Sequence, residues 1–408
     1  MGTNLASDPR PRRIAFVSDS VYPFFKGGKE RRLWEITRRL AAAGIDVRVY
    51  TMQWWPGGRT LTLDGVRLEA ITRYHSVYHH ERRSVTEAIR FGLATLKLLW
   101  ARFDVLDVDH MPYFPLFAAR LVCLVRGKPL VATWHEVWGA RGWRQYLGRL
   151  APFGAVIERL AARLPDGIVS VSDHTSQRLV WDLATRKPVY TIALGVDMAE
   201  IGRVSAGTRV DVLYAGRLLA HKHVDLLLEA VALLAGKRHD LLCHIVGEGP
   251  ERRRLEEQRD TLLLHNHVVF RDFTPHDEIY GLMKGARVLA LPSTREGFGC
   301  IVVEAYACGV PVVTLDHPDN AARHLVAEGE TGFLAGLDAA DLARALDTAL
   351  TMAPIMDVRG AVGRTGLLRE WTEVTAEVHA VLAGAAAGVP IRPAARPVPA
   401  QPRAEQRY

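Results

Sequence analysis

The chain has no stretch of about 18 uninterrupted apolar residues, so no membrane-spanning helix is expected. Cysteine is scarce: Cys123, Cys243, Cys300 and Cys308 are scattered, with no C-x-x-C pair. That excludes a disulfide scaffold and an ordinary zinc site, and it fits a reducing compartment. Met1 to Arg13 has no apolar core, so a secretory signal is not expected and the cytoplasm is the expected location. No recognised nucleic-acid-binding motif occurs.

The remainder is ordinary for a globular protein, with 49% apolar and 24% charged residues. At 408 residues the chain exceeds what one core usually supports, so two domains are expected. The net charge of +7 is unevenly spread. Residues 1–204 hold 30 Lys and Arg against 19 Asp and Glu, a net +11, and residues 205–408 net to −4. A basic first half suits an anionic partner: a phosphorylated acceptor, an acidic lipid surface or nucleic acid. A solvated arginine-rich surface reads equally well.

Periodicity predicts two cycles of alternating strand and helix, the pattern of doubly wound parallel sheets. In the first, Arg13–Ser18 is a buried strand and Asp19–Gly28 a loop. A helix follows from about Glu30 to Ala43, with Leu33, Ile36, Thr37 and Leu40 on its core face, and Val47–Thr51 is the next strand. Helices near Val85–Arg102, Pro115–Val125 and Arg149–Leu164 then alternate with strands Asp104–Val108, Leu130–Thr133 and Gly167–Val171. The second cycle holds strands Val210–Ala215, Leu241–Val246, Val268–Phe270, Val288–Leu291 and Val310–Thr314. The resulting division is a disordered start (1–12), a first α/β domain (13–200), a second (201–366), a terminal helix (367–383) anchored by Trp371, and a disordered tail rich in Ala, Pro and Arg (384–408). Gly195–Gly207 is the expected linker.

Chemistry concentrates in Glu296-Gly-Phe-Gly-Cys-Ile-Val-Val-Glu304. The segment lies between an apolar strand and a helix closed by Gly309, which puts Glu296 on the loop at a strand's C-terminal end and Glu304 about a turn into the helix. Gly297 and Gly299 allow close backbone approach, and the helix start offers unpaired N–H groups to an anion. One acid can hold a sugar, the other a ribose, and the amides between them a diphosphate. The segment resembles the E-x7-E element of the retaining glycosyltransferases of family 4 (glycosyl transferases group 1). The flanking Pro-Ser-x-x-Glu-Gly-Phe-Gly and Gly-Val-Pro-Val-Val wording matches as well. The resemblance implies the GT-B fold, two Rossmann-like domains facing each other across a cleft. It spans roughly residues 13–382.

Other elements of that resemblance follow in order. Tyr214-Ala-Gly-Arg217-Leu-Leu-Ala-His-Lys222 is similar to the family's Gly-Arg-Leu…Lys element, whose Arg and Lys grip the diphosphate; His223 stands where relatives often have Gly. Gly27-Gly28, between the first strand and its helix, looks like the family's phosphate-approaching loop, and Glu30 suits the positive end of that helix. Thr133-Trp-His135 matches the Thr-x-His element whose histidine hydrogen-bonds the donor sugar. Gly247-Glu-Gly249 resembles a loop framing the nucleoside and also reads as a plain strand-to-helix turn. Asp272 stands where relatives commonly show Gly beside the base pocket, and Arg323-His324 where they often place an acid. Asp107-Val-Asp109 spells the D-x-D metal signature of another glycosyltransferase fold, but it ends an apolar strand and is read as chance.

The resemblance therefore implies a glycosyltransferase that takes a sugar from a nucleoside-diphosphate sugar, with retention and without a catalytic metal or cofactor. His135 and Glu296 would be catalytic. Gly27, Gly28, Arg217, Lys222, Gly247, Gly297, Phe298, Gly299, Cys300, Ile301 and Glu304 would bind the donor. The acceptor is unidentified, with an anionic or lipid-linked one left open, and peripheral contact with the inner face of a membrane is left open too. No nucleic acid is expected as partner. Two basic, aromatic segments, Arg73–Arg83 and Trp138–Tyr146, are acceptor candidates that also read as headgroup contacts or rim packing. The helix near Val85–Arg102, with Leu93, Leu96, Leu99 and Trp100, reads as packed on the core in preference to docked on a membrane. Alternatives from other classes are an epimerase or phosphorylase on the same fold, and a non-enzymatic basic binding protein.

Overall fold

The chain is described by a computed structural model covering residues 12–74, 78–79, 82–272 and 276–389. It divides into two compact units, Met1–Leu194 with Trp371–Tyr408, and Gly195–Glu370.

In the first unit, the strands are β1 (Arg13–Val17), β2 (Asp46–Gln53), β3 (Thr60–Leu63), β4 (Val66–Arg73), β5 (Tyr78–His79), β6 (Arg82–Arg83), β7 (Val105–Asp109), β8 (Leu130–Trp134), β9 (Gly167–Ser170) and β10 (Val189–Thr191). β5 and β6 form a small antiparallel pair. The others make one sheet in the order β10-β9-β8-β7-β1-β2-β4-β3, parallel except where β3 turns back along β4. That hairpin turns at Asp64-Gly65, both at positive φ, which the Asp-Gly dipeptide favours. β7 and β8 are buried at every residue because helices cover both faces of a parallel sheet, so they read as unbroken runs.

The helix Gly28–Ala42 starts two residues before its expected position, since the Gly27 carbonyl already accepts Arg31 N–H at 2.9 Å. Leu33, Ile36, Thr37 and Leu40 are all buried as read. The next helix meets expectation in part, since Leu96 and Leu99 pack against the core. It runs as α-helix over Val85–Thr95 and as 3-10 helix over Leu96–Trp100, burying Phe91, Gly92, Thr95 and Leu98. Leu93 and Trp100 point to solvent. Gly92 is the cause: a Cβ there would lie 2.7 Å from that of Phe114, so the helix meets its neighbour along the glycine and turns Leu93 outward.

In the second unit, β11 (Val210–Ala215), β12 (Cys243–Val246), β13 (Val268–Arg271), β14 (Ala286–Leu291), β15 (Val312–Leu315) and β16 (Gly332–Ala335) form an all-parallel sheet ordered β13-β12-β11-β14-β15-β16. The expected linker is in part structured: Met198–Arg203 is a helix with Ile201 buried, and Lys284 Nζ donates to the carbonyls of Ile201 and Val204. The terminal helix runs Trp371–Ala387, so residues 384–387, expected in the tail, are helical. It packs on the helix Gly28–Ala42 and on β7 and β8 within the first unit.

Candidate active site

In the second unit the candidate residues gather at the C-terminal ends of β11 and β14, where a parallel sheet leaves loops free to bind. Lys222 Nζ donates to Glu296 Oε1 at 2.6 Å, with both side chains mostly buried. Glu296 is fixed through its backbone: its N–H donates to Asp319 O at 3.2 Å and its carbonyl accepts Ala321 N–H at 2.9 Å. Asn320, fully buried, ties that turn together by donating to Leu315 O at 2.7 Å and accepting from Ala322 N–H at 3.1 Å. The loop is therefore built before any ligand is considered.

Glu304 lies five residues into the helix Cys300–Cys308, which Gly299 initiates at φ +99°. Gly297 is half-buried and Phe298 buried against this helix start, with Cys300 and Ile301 opening it. Burial, then Glu304, then Glu296 push the Cys300 thiol up to about 12, so it stays protonated. Glu296 thus sits on the loop before the helix and Glu304 about a turn into it, the placement expected from the sequence. Arg217 follows β11, and its carbonyl accepts the hydroxyl of the buried Tyr214 at 2.9 Å. Burial pushes that phenol up, Glu296 adds to the rise and Arg217 opposes it.

Sequence reasoning missed two members of this cluster. Arg295 Nη2 stands 3.5 Å from His221 Nδ1. Burial, followed by Lys222, Arg295, Arg217 and His223, holds the His221 pKa well below the usual range. His221 is therefore neutral among three permanent cations. His223, flagged as a departure, has φ +47°, the left-handed conformation glycine adopts freely. Its Nε2 lies 3.1 Å from Thr294 Oγ1, on the loop that carries Glu296.

Gly247 is a site of close approach: a Cβ there would overlap the Gly216 carbonyl oxygen, which ties the end of β12 to the Gly-Arg turn after β11. Arg252 donates to the carbonyls of Gly247 (3.0 Å) and Arg271 (3.1 Å) and covers the Phe270 ring at 4.9 Å. Asp272 is exposed, 3.4 Å from Arg252, and Phe273 beside it lies outside the described residues. Arg323 is paired with Asp316 at 2.7 Å.

In the first unit a second charged cluster surrounds the end of β7. His135 Nε2 lies 2.9 Å from Asp109 Oδ1. Lys29 Nζ, directly after Gly27-Gly28, donates to Asp19 Oδ1 at 2.8 Å and lies 3.7 Å from Asp109 Oδ2. Glu30 is buried in the first helical turn and accepts the Ser20 hydroxyl at 2.6 Å. A small cavity lined by Lys29, Arg32, Asp107, Asp109, Thr133 and His135 sits here. Burial raises Asp109, but Lys29, the His135 hydrogen bond and charge, and Ser18 outweigh it and hold the carboxyl below its usual range. Asp107 is different: burial pushes it up to about 6, only partly countered by Thr133, whose hydroxyl donates to both its oxygens at 2.8 and 3.1 Å. The D-x-D carboxylates are thus committed to Thr133, His135 and Lys29. Asp109, read from sequence as chance, is the partner of the predicted histidine.

In the aromatic segment after His135 the two tryptophans are buried, Tyr146 is half-buried, and Arg141 and Arg144 are exposed. Trp138 and Trp143 pack 5.0 Å apart and both lie in the core. The fully buried Glu158 accepts from Trp138 N–H (2.8 Å), Gly139 N–H (3.0 Å), Trp143 Nε1 (2.8 Å) and Tyr113 OH (3.0 Å). Core packing, not rim packing, describes the two tryptophans. In the other acceptor candidate, the side chains of residues 75–83 lie outside those described. Among the described residues, no helix is long and apolar enough to cross a membrane. Nor, among them, does any group of three or more His, Cys, Asp or Glu side chains form a metal-binding set.

Comparison with known proteins adds three findings. Residues 26–200 match the family described as Glycosyltransferase Family 4, and residues 202–362 match Glycosyl transferases group 1. The chain is 27% identical over 374 residues to a D-inositol 3-phosphate glycosyltransferase of Streptomyces avermitilis, covering 83% of this chain and 80% of that protein. Among solved structures, it resembles sucrose-phosphate synthase from Thermosynechococcus elongatus (TM-score 0.75, 19% identity, 91% and 98% coverage) and Anabaena Alr3699/HepE in complex with UDP and glucose (TM-score 0.71, 19% identity, 91% and 99% coverage).

Proposed function

The chain belongs to the family 4, group 1 glycosyltransferases, with the two parallel-sheet domains of the GT-B fold, and we propose that it moves a sugar from a nucleoside-diphosphate sugar to an acceptor hydroxyl with retention of configuration. The observation that carries this reading is the cluster at the ends of β11 and β14. There Lys222 is held 2.6 Å from Glu296, and Arg217 and Arg295 share the charge environment of the neutral His221. A departing diphosphate gathers negative charge, and fixed cations with a helix N-terminus stabilise that charge without needing to reorganise.

In this reading Arg217 and Lys222 neutralise the diphosphate, the amides after Gly299 add to them, and Glu304 holds the ribose. Gly247 frames the nucleoside. Glu296 orients the sugar while keeping Lys222 in place. In the first unit His135, positioned by Asp109, hydrogen-bonds the sugar, and the Gly27-Gly28 turn approaches phosphate. The diphosphate leaves from the face where the acceptor attacks, and its oxygen takes the acceptor proton. These cations supply the leaving-group stabilisation that a divalent ion gives elsewhere, so the reaction is proposed to be metal-independent.

UDP comes first in a donor panel because a protein of this fold was solved with it. Thermal unfolding with UDP, GDP and ADP tests the reading: a bound nucleotide at a hundred times its Kd stabilises by about 2.7 kcal/mol. No shift with any nucleoside diphosphate, in a folded preparation, would contradict it. With the donor in hand, the anomeric configuration of the product, read by NMR, decides retention.

A further inference from the structure

Three helices of the first unit lie side by side on one face of its sheet: Val85–Trp100, Phe114–Arg126 and Ala151–Ala161, the second packing against both others. Their inward residues are small or apolar, such as Gly92, Ala119 and Gly154. Their outward residues include many large apolar ones among the basic ones. Leu93, Trp100, Leu124, Val125, Phe153 and Val156 are all exposed, Trp100 at 80% and Phe153 at 69%. Arg126 Nη2 donates to Ala101 O at 3.1 Å, which brings the end of the second helix beside Trp100 and makes the patch continuous there. Soluble monomers rarely leave large apolar side chains of neighbouring helices together in water without a partner.

Charge narrows the choice of partner. Arg126, Arg149, Arg159 and Arg163 are exposed around the patch, and the partners recorded for Arg126 and Arg159 are carbonyl oxygens, which leave the positive charge in place. The acids of the same region are committed elsewhere: Glu158 is buried under four donors, Glu87 pairs with Arg90 at 3.0 Å and Asp166 with Arg120 at 2.8 Å. The net +11 of residues 1–204 agrees in sign. Apolar side chains flanked by arginine on an outer helical layer match a surface that is apolar within and anionic at its edge.

We propose that the outward faces of these three helices dock on an anionic lipid bilayer, with Trp100, Val125 and Phe153 entering the headgroup boundary and the arginines meeting lipid phosphates. The inference does not depend on the donor site, which nucleotide binding tests separately. Vesicle flotation reads it directly, using phosphatidylcholine vesicles with and without phosphatidylglycerol. The intact protein is expected to float with the phosphatidylglycerol vesicles and to stay behind with phosphatidylcholine alone. Trp100→Glu with Val125→Glu should abolish flotation while leaving the circular dichroism and melting temperature unchanged. Should that pair fail to fold, Arg126→Gln with Arg159→Gln should weaken flotation and lower its sensitivity to salt. Absence of flotation, equal flotation with both vesicles, or flotation untouched by both variant pairs would overturn the proposal. So would a concentration-dependent dimer, lost in Trp100→Glu with Val125→Glu, that binds no vesicle: the partner would then be a second copy of this chain.

Discussion

Lys222 is an ammonium held 2.6 Å from a carboxylate on the adjacent loop, and two further permanent cations stand near it. Lys222→Ala removes the charge and leaves Glu296 without its ammonium partner. Initial rates should show kcat/KM lowered by about 2–4 kcal/mol of transition-state stabilisation. An unchanged value would remove Lys222 from the mechanism. Asp109 acts one step back, through His135. Asp109→Asn keeps the shape and loses the charge, so kcat should fall by about 1.5–3 kcal/mol with KM little altered, the range for a hydrogen bond to a charged group. Asp107 gives a pH prediction of opposite sense to an ordinary carboxylate. Burial holds its carboxyl at about 6, above the usual carboxylate range, so its contribution to stability is full below that ordinary range and is lost as pH rises through 6. Asp107→Asn should therefore melt higher than wild type at pH 8, with the difference shrinking toward pH 4. A constant difference would mean that burial is not what raises Asp107. Lys222, Glu296 and Glu304 were legible because their spacing is written along one or two segments. Asp109 was not, because its role depends on β7 pairing with β8 in the register Asp109↔Thr133, which brings His135 alongside.

Elements show the same division between local and tertiary information. The central strands of both sheets follow from apolar runs that helices must cover, and periodicity finds them, but it missed β3, β4, β10 and β16 toward the sheet edges. The orientation of the helix Val85–Thr95 does not follow, because Gly92 against Phe114 overrides the amphipathic pattern and exposes Leu93 and Trp100. The hairpin at Asp64-Gly65 carried its turn in the sequence, but its short polar strand β3 has only weak alternation. Similarly, Gly195–Gly207 looked like a linker by composition, although Ile201 is buried and Lys284 caps the helix around it. Gly247 is the element-scale test of the donor site. Gly247→Ala would press a methyl group into the Gly216 carbonyl and part β12 from the turn bearing Arg217. A loss of about 1–3 kcal/mol in stability is expected from such overpacking, measured by denaturant unfolding, with weaker nucleotide affinity. A variant as stable as wild type would show that the two loops do not meet there.

Across the whole molecule, the two parallel-sheet units carry different charges and different chemistry. The second holds the cation cluster and both glutamates of the E-x7-E element; the first holds the His135–Asp109 pair, the buried Glu158 hub and the apolar, arginine-flanked helical layer. The fold was readable from the sequence because two cycles of strand and helix leave few other ways to bury their apolar faces. Acceptor chemistry was not, because Trp138 and Trp143, two of the residues that suggested it, are buried in the core, with the Trp143 indole donating to Glu158. The central claim is that fixed side chains, not a bound ion, grip the diphosphate. Calorimetric titration of the best-stabilising nucleoside diphosphate into wild type and Lys222→Ala, each with and without EDTA, tests it. A wild-type Kd indifferent to EDTA is expected, with about tenfold or more weaker binding, about 1.4 kcal/mol or more, in the variant. Wild-type binding abolished by EDTA and restored by Mn²⁺, or equal affinity in the two proteins, would contradict it.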